Sequence, residues 1–303
     1  MKNTELHTPT DGRPPIVLGQ ATIYDNCCLQ SGDERLWIDP PSEKANVILE
    51  GKDKVFLTHI PKDWGVFQNK AEVLLGEQDK HLLSEKENHY FHLFRQEGFP
   101  DVEEVPSEYA LNFSDGKESK VVPIRDGEEF RVGHCTVRCV HTPGPTPGHT
   151  CLYLPGEQVL FAGSLFALPS GAEGWKGAPS ALEDLMNSLE KVKNMSIKQA
   201  VFRSDHTTDV QERAESIIRY CYFRLLELYR LIQDNPGLTA YELAERFSRQ
   251  RTQWIDLPLV QKWDAMKETL SHLNYLRERD YVQVREGANG LINMPGARRL
   301  TDI

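Results

Sequence analysis

Ten residues, His141-Thr142-Pro143-Gly144-Pro145-Thr146-Pro147-Gly148-His149-Thr150, constrain this chain more than any other stretch. Three prolines fix φ and remove backbone donors, so neither a helix interior nor a ladder strand can run through them. They force a turn directly behind the β-branched run Thr136 to Val140. A second stretch, Val55-Phe56-Leu57-Thr58-His59-Ile60-Pro61-Lys62-Asp63-Trp64, has the same grammar: an apolar run, then a proline break. Such strand ends are where an α/β scaffold presents functional groups.

The surrounding pattern supplies the strands. Residues 1–15 are polar and carry Pro9, Pro14 and Pro15, which predicts an arm rather than an element. Ile16 to Gln30 and Arg35 to Pro41 read as a hairpin across Ser31-Gly32-Asp33-Glu34. Further strands are expected at Lys54 to Thr58 and Ala71 to Leu75, then a helix from Ser84 to Arg95 ended by Gly98 and Pro100. Beyond the proline-rich turn, Cys151 to Leu154 and Gln158 to Ala162 form a hairpin. A helix over 180–193 has Leu182, Leu185, Met186 and Leu189 at i, i+3, i+4 and i+7. Strand Gln199 to Phe202 then delivers Arg203-Ser204-Asp205-His206. Two runs of strands, each followed by helix, predict an α/β fold whose sheets pack face to face under helices.

From Glu215 the pattern turns helical. Tyr222, Leu225, Leu226 and Tyr229 mark one helix, stopped at Asn235-Pro236-Gly237. Thr239-Ala240-Tyr241-Glu242 has the capping-box form and opens a second. A third follows Pro258, and the segments around Tyr281–Arg285 and Gly290–Asn293 read as a hairpin. Helices followed by a β-hairpin look like a small winged helix.

Charge limits its partners. The chain has a formal net charge of −10. Residues 224–303 carry 12 Lys and Arg against 11 Asp and Glu, with no basic stripe of the kind a duplex binder uses for phosphate contacts. Packing, a homodimer contact or a lid is the expected role of this segment, and nucleic acid is not an expected partner. No apolar run reaches the roughly 18–20 residues that span a bilayer, and the polar start lacks the apolar core of a signal peptide, so the expectation is a cytoplasmic protein. Six cysteines without C-x-x-C or zinc-finger spacing read as buried thiols; Cys135 and Cys139 fall on one side of a strand.

The wording of the two turns resembles the metallo-β-lactamase fold superfamily, which includes glyoxalase II. Its T-H-x-H-x-D-H pattern aligns with Thr58 to Trp64 and its T-P-G-H-T turn with Thr142 to Thr146, while Asn26-Cys27-Cys28-Leu29 and Ile38-Asp39-Pro40 match its opening strands. The resemblance implies a four-layered αββα sandwich over residues 16–215, then a helical, winged-helix-like domain over 216–303. It also implies a pair of zinc ions activating a bridging water. The ligand positions depart from that pattern. His59, Asp63 and His206 match, whereas Pro61, Trp64 and Pro145 replace histidines and Ser164 replaces the bridging aspartate.

Proline has no donor atom, so a dinuclear centre is not expected. At most one zinc or iron ion, held by His59, Asp63 and His206, is compatible with the sequence. The replacements instead predict a drier pocket lined by Trp64, Pro61 and Pro145, with His141 able to face it by strand alternation. Asp63, His206 and Ser164 would then be an acid, an imidazole and a hydroxyl from three strand ends, the cast of a metal-free hydrolytic triad. Three readings stay open: acid/base chemistry on a small organic molecule, a pseudoenzyme that binds a ligand or protein, and a zinc-dependent ester or thioester hydrolase with other ligands.

Overall fold

The computed structural model describes residues 15–18, 20–24, 27–40, 54–60, 72–82, 89–99, 121–167, 181–202, 205–248 and 253–300. Seven strands form one sheet in sequence order: β1 (Ile16–Leu18), β2 (Ala21–Tyr24), β3 (Cys28–Ser31), β4 (Glu34–Ile38), β5 (Lys54–Leu57), β6 (Glu72–Gly76) and β7 (Val121–Ile124). The first four are an antiparallel meander, and β4 to β7 pair in parallel. Parallel pairing places the ends of β4, β5 and β6 side by side.

The second sheet is built from β8 (Glu129–Val132), β9 (Cys135–His141), β10 (Thr150–Leu154), β11 (Val159–Phe161), β12 (Gln199–Phe202) and β13 (Asp205–Thr207). The pairs β8–β9, β9–β10 and β10–β11 are antiparallel, and β12 lies parallel to β11. The sequence predicts a strand-end loop at 203–206. The structure instead folds 205–207 back as an edge strand on β12, with His206 opposite Val201. A polar three-residue strand carries no periodic signal that would reveal it.

The period of two sorts side chains between layers. Leu36, Ile38, Phe56 and Leu74 point inward to meet Val137, Cys139, Leu152, Leu154 and Phe161 of the other sheet. Their strand neighbours Trp37, Val55, Leu57, Val73 and Leu75 form a second apolar layer on the opposite face. Both faces of these strands are buried, hence their nearly continuous apolar runs. All six cysteines are buried.

Short helices α1 (Glu77–Leu82) and α2 (His89–Gln96) follow β6, and α3 (Ala181–Lys193) and α4 (Val210–Asp234) cover the outer face of the second sheet. α4 begins at Val210, ahead of the expected Glu215, with Asp209 as its N-cap accepting from the Glu212 amide. Beyond it come β14 (Leu238–Thr239), α5 (Ala240–Phe247), α6 (Leu259–Glu278) and the hairpin β15 (Val282–Gly287) and β16 (Gly290–Pro295), in the sheet order β14-β16-β15. The Thr239–Glu242 capping box is formed. Phe94 and Phe99 at the end of α2 pack on Trp263 of α6, with ring centroids 4.5 and 6.1 Å away. The helical region therefore shares one apolar cluster with the second sheet. Among the described residues, no helix is long and apolar enough to cross a membrane.

Candidate functional site

Three strand ends meet where the two sheets approach. At the end of β5, Thr58 is fully buried and its amide N–H donates to Asp39 Oδ1 at 2.8 Å. Its hydroxyl donates to Asp39 Oδ2 at 2.5 Å. Asp39 lies just past the neighbouring end of β4, with its amide on Phe56 O and a left-handed φ of 43° that aspartate tolerates better than most residues. Across the gap, the Thr150 amide of β10 donates to Thr58 O at 2.9 Å, tying the two sheets at this point.

His59 follows, partly exposed. Its Nδ1 lies 2.9 Å from Thr58 Oγ1. The one proton of that hydroxyl is given to Asp39, so Oγ1 can only accept, and Nδ1 of a neutral His59 carries the ring proton. Nε2 then carries the lone pair. Ser164 Oγ stands 3.2 Å from Nε2 and 3.4 Å from Nδ1. Near-equal distances to both nitrogens of one ring put the hydroxyl over the ring face, off the in-plane lone pair of Nε2, so the ring must turn to align the two.

Ser164 is placed by the turn behind β11. Gly163 has φ 52°, and a Cβ there would fall 2.2 Å from Thr58 Oγ1. Only glycine lets this backbone press against Thr58, which is what brings Ser164 to His59. The Ser164 amide donates to His149 Nε2 at 3.3 Å. His149 is fully buried and its Nδ1 pairs with Thr142 Oγ1 at 2.9 Å. Burial, reinforced by the nearby His59, pushes the His149 pKa well below the usual histidine range and keeps it neutral. The two imidazoles stack with centroids 6.0 Å apart.

One buried carboxylate holds both turns. Asp79 of α1 accepts from Gly148 N and Thr146 Oγ1, each at 2.6 Å, and from the backbone N–H of Ile60. Burial raises its pKa to about 6 despite those three donors.

Of the residues singled out in the sequence, His59 and Ser164 come together and Pro145 is buried in the turn beside them. His141 ends β9 with Nε2–H donating to Pro147 O at 2.8 Å and its amide on Asp126. His206 is exposed on the edge strand. Asp63, Trp64 and Pro61 lie outside the described residues. Asp39, Thr58 and His149 complete the cluster. In the sequence Asp39 and Thr58 stand only as motif residues, and His149 only as part of the proline-rich turn. Nothing in their local sequence shows a contact that depends on strand pairing 19 positions apart.

The donor set also bears on metal. Pro145 offers no ligand atom, and Ser164 puts a neutral hydroxyl where the resembled sites carry a bridging carboxylate. Among the described residues no three His, Cys, Asp or Glu side chains converge on one point. These donors do not fit a dinuclear zinc centre.

A family model described as "Metallo-beta-lactamase superfamily" matches residues 54–202, the stretch from β5 to β12. These residues belong to the metallo-beta-lactamase superfamily. A metallo-beta-lactamase family protein from Thermus thermophilus has the same fold: its crystal structure superposes with a TM-score of 0.68 at 23% identity, over 93% of this chain and 97% of that one. Among curated relatives, a hydroxyacylglutathione hydrolase of Methylococcus capsulatus is 34% identical over 95 residues, 30% of this chain and 35% of its own length. An atrochrysone carboxyl ACP thioesterase of Aspergillus fumigatus is 42% identical over 65 residues, 22% of this chain and 14% of its own. The matches therefore span well under half the length of these relatives.

Proposed function

We propose that this protein is a divergent metallo-beta-lactamase-fold hydrolase that acts on a small organic molecule through acid/base chemistry centred on His59, without a dinuclear zinc centre. The observation that carries this reading is the row Asp39–Thr58–His59–Ser164. A carboxylate fixes a hydroxyl, the hydroxyl fixes an imidazole tautomer, and the unprotonated nitrogen of that imidazole lies 3.2 Å from a second hydroxyl. The relatives' names, a hydrolase and a thioesterase, support hydrolysis as the reaction class. Pro145 and Ser164 at metal-ligand positions support chemistry that does not route through a metal pair.

The test is hydrolysis of a panel of p-nitrophenyl esters and acyl thioesters, with and without a chelator, by wild-type protein and His59→Gln. The expected result is turnover that survives the chelator and falls by about 10²–10⁴-fold in the variant. Full activity in His59→Gln would refute the reading. Two equivalents of zinc per chain, with activity lost to the chelator, would restore the zinc-hydrolase reading, and tight ligand binding without turnover would favour the pseudoenzyme.

A further inference from the structure

We infer that Ser164 is a nucleophile that carries the acyl group of an ester or thioester substrate as a covalent intermediate, a step that rests on His59 acting as proposed above. The Ser164 hydroxyl lies 3.2 Å from the unprotonated nitrogen of His59, close enough for a turn of the ring to align them. Its backbone is fixed twice, by the Gly163 turn pressed on Thr58 and by the amide bond to His149. His149 does not compete as a base: its Nε2 lone pair receives the Ser164 amide, and it is buried and neutral. His59 has the opposite arrangement. When it takes a proton, Nδ1–H still donates to Thr58 Oγ1, whose own O–H donates to the Asp39 carboxylate, so the cation is stabilised through a relay of two hydrogen bonds.

The chemistry balances within these groups and water. Ser164 Oγ adds to the acyl carbonyl carbon as its proton passes to His59 Nε2. The bond from that carbon to the alcohol oxygen or thiol sulfur breaks, and the leaving group takes the proton from His59. A water then adds to the acyl-serine carbonyl and gives its proton to His59. The carbon–Oγ bond breaks, Ser164 recovers the proton, and a carboxylic acid leaves. An aspartate at this position cannot perform the first step as a hydroxyl does, so a serine where the resembled sites bridge metals exchanges one chemistry for another.

A fluorophosphonate probe, which forms a stable bond with an activated serine, tests this on the intact chain without a known substrate. Wild-type protein should be labelled at Ser164, located by peptide mass spectrometry, and His59→Gln should lose at least about ten-fold of the labelling rate. In parallel, Ser164→Ala should lower p-nitrophenyl acetate hydrolysis by about a hundredfold or more while keeping the wild-type circular dichroism spectrum. Wild-type protein that stays unlabelled at Ser164, or that labels equally fast in His59→Gln, overturns the nucleophile. If that happens while His59→Gln still abolishes hydrolysis, the acid/base reading stands alone. If His59→Gln hydrolyses normally as well, both fall.

Discussion

Gly163 sets the distance on which the chemistry depends. With φ at 52° and the place of a Cβ only 2.2 Å from Thr58 Oγ1, any side chain must push the Ser164 turn away from β5 or dislodge Thr58 from Asp39. Gly163→Ala is expected to cost roughly 2–4 kcal/mol, since steric strain adds to the penalty of a left-handed backbone. Its effect on turnover should be of similar size, because a shift of about 1 Å between reacting groups can cost about a hundredfold in rate, about 2.7 kcal/mol. Urea unfolding and hydrolysis assayed side by side would show it; an unchanged midpoint and rate would mean the turn relaxes freely. The same residues show what a sequence reveals of a site. His59 and Ser164 are legible because they occupy motif positions, and a missing ligand is visible as an unusual residue. Their partners are not, because Asp39 meets Thr58 only through the parallel register of β4 and β5. His149 reads only as part of the proline-rich turn because local sequence does not show that the Thr150–Thr58 bond closes the gap above it.

At the scale of elements, α1 is the clasp. Its Asp79 gathers amides and a hydroxyl from both site turns, joining positions 60, 79 and 146–148 of the chain. The folded carboxyl has a pKa of about 6 against an ordinary 3.8, chiefly from burial. The fold therefore favours the protonated form. Its contribution to stability is complete below about pH 4 and is lost as pH rises through 6, a change on the order of 3 kcal/mol at about 1.36 kcal/mol per pKa unit. Asp79→Asn, neutral throughout, should lack this dependence, so the stability of wild type minus variant should fall between about pH 3.5 and 7. Paired urea titrations at the two pH values measure it; a constant difference would contradict the assignment. α1 itself is a departure from the sequence pattern, which puts the helix after β6 at Ser84, whereas the structure starts one at Glu77, directly behind the strand. Six residues are too few for helical periodicity to register. Strands such as β5, β9 and β10 and the helices α3, α5 and α6 are legible because each shows its period or its start signal, whereas β7, β13 and β14 do not.

For the whole molecule, the question is whether the helical region is an appendage or part of one cooperative unit. Two contacts support one unit. Arg277 of α6 makes a two-pronged ion pair with Glu97 at the end of α2, at 2.6 and 2.9 Å, and also donates to the fully buried Asn293 of β16. Beside it Gly290 of the hairpin lies so close to α2 that a Cβ would fall 2.7 Å from Gln96 O and 2.8 Å from Gly98 N. Glu97 is only 2% exposed, so removing Arg277 leaves a buried carboxylate without its cation, at a cost of about 3–5 kcal/mol. Because Phe94 and Phe99 also pack on Trp263, that loss is felt on both sides of the contact. Arg277→Met should therefore lower the stability of the second sheet and of α6 together. Hydrogen exchange across a urea series can tell them apart, since peptides from β9 to β11 and from α6 report separately. Coincident midpoints, both shifted down by the substitution, are expected; α6 losing protection while β9 to β11 keep theirs would show two units that fold independently.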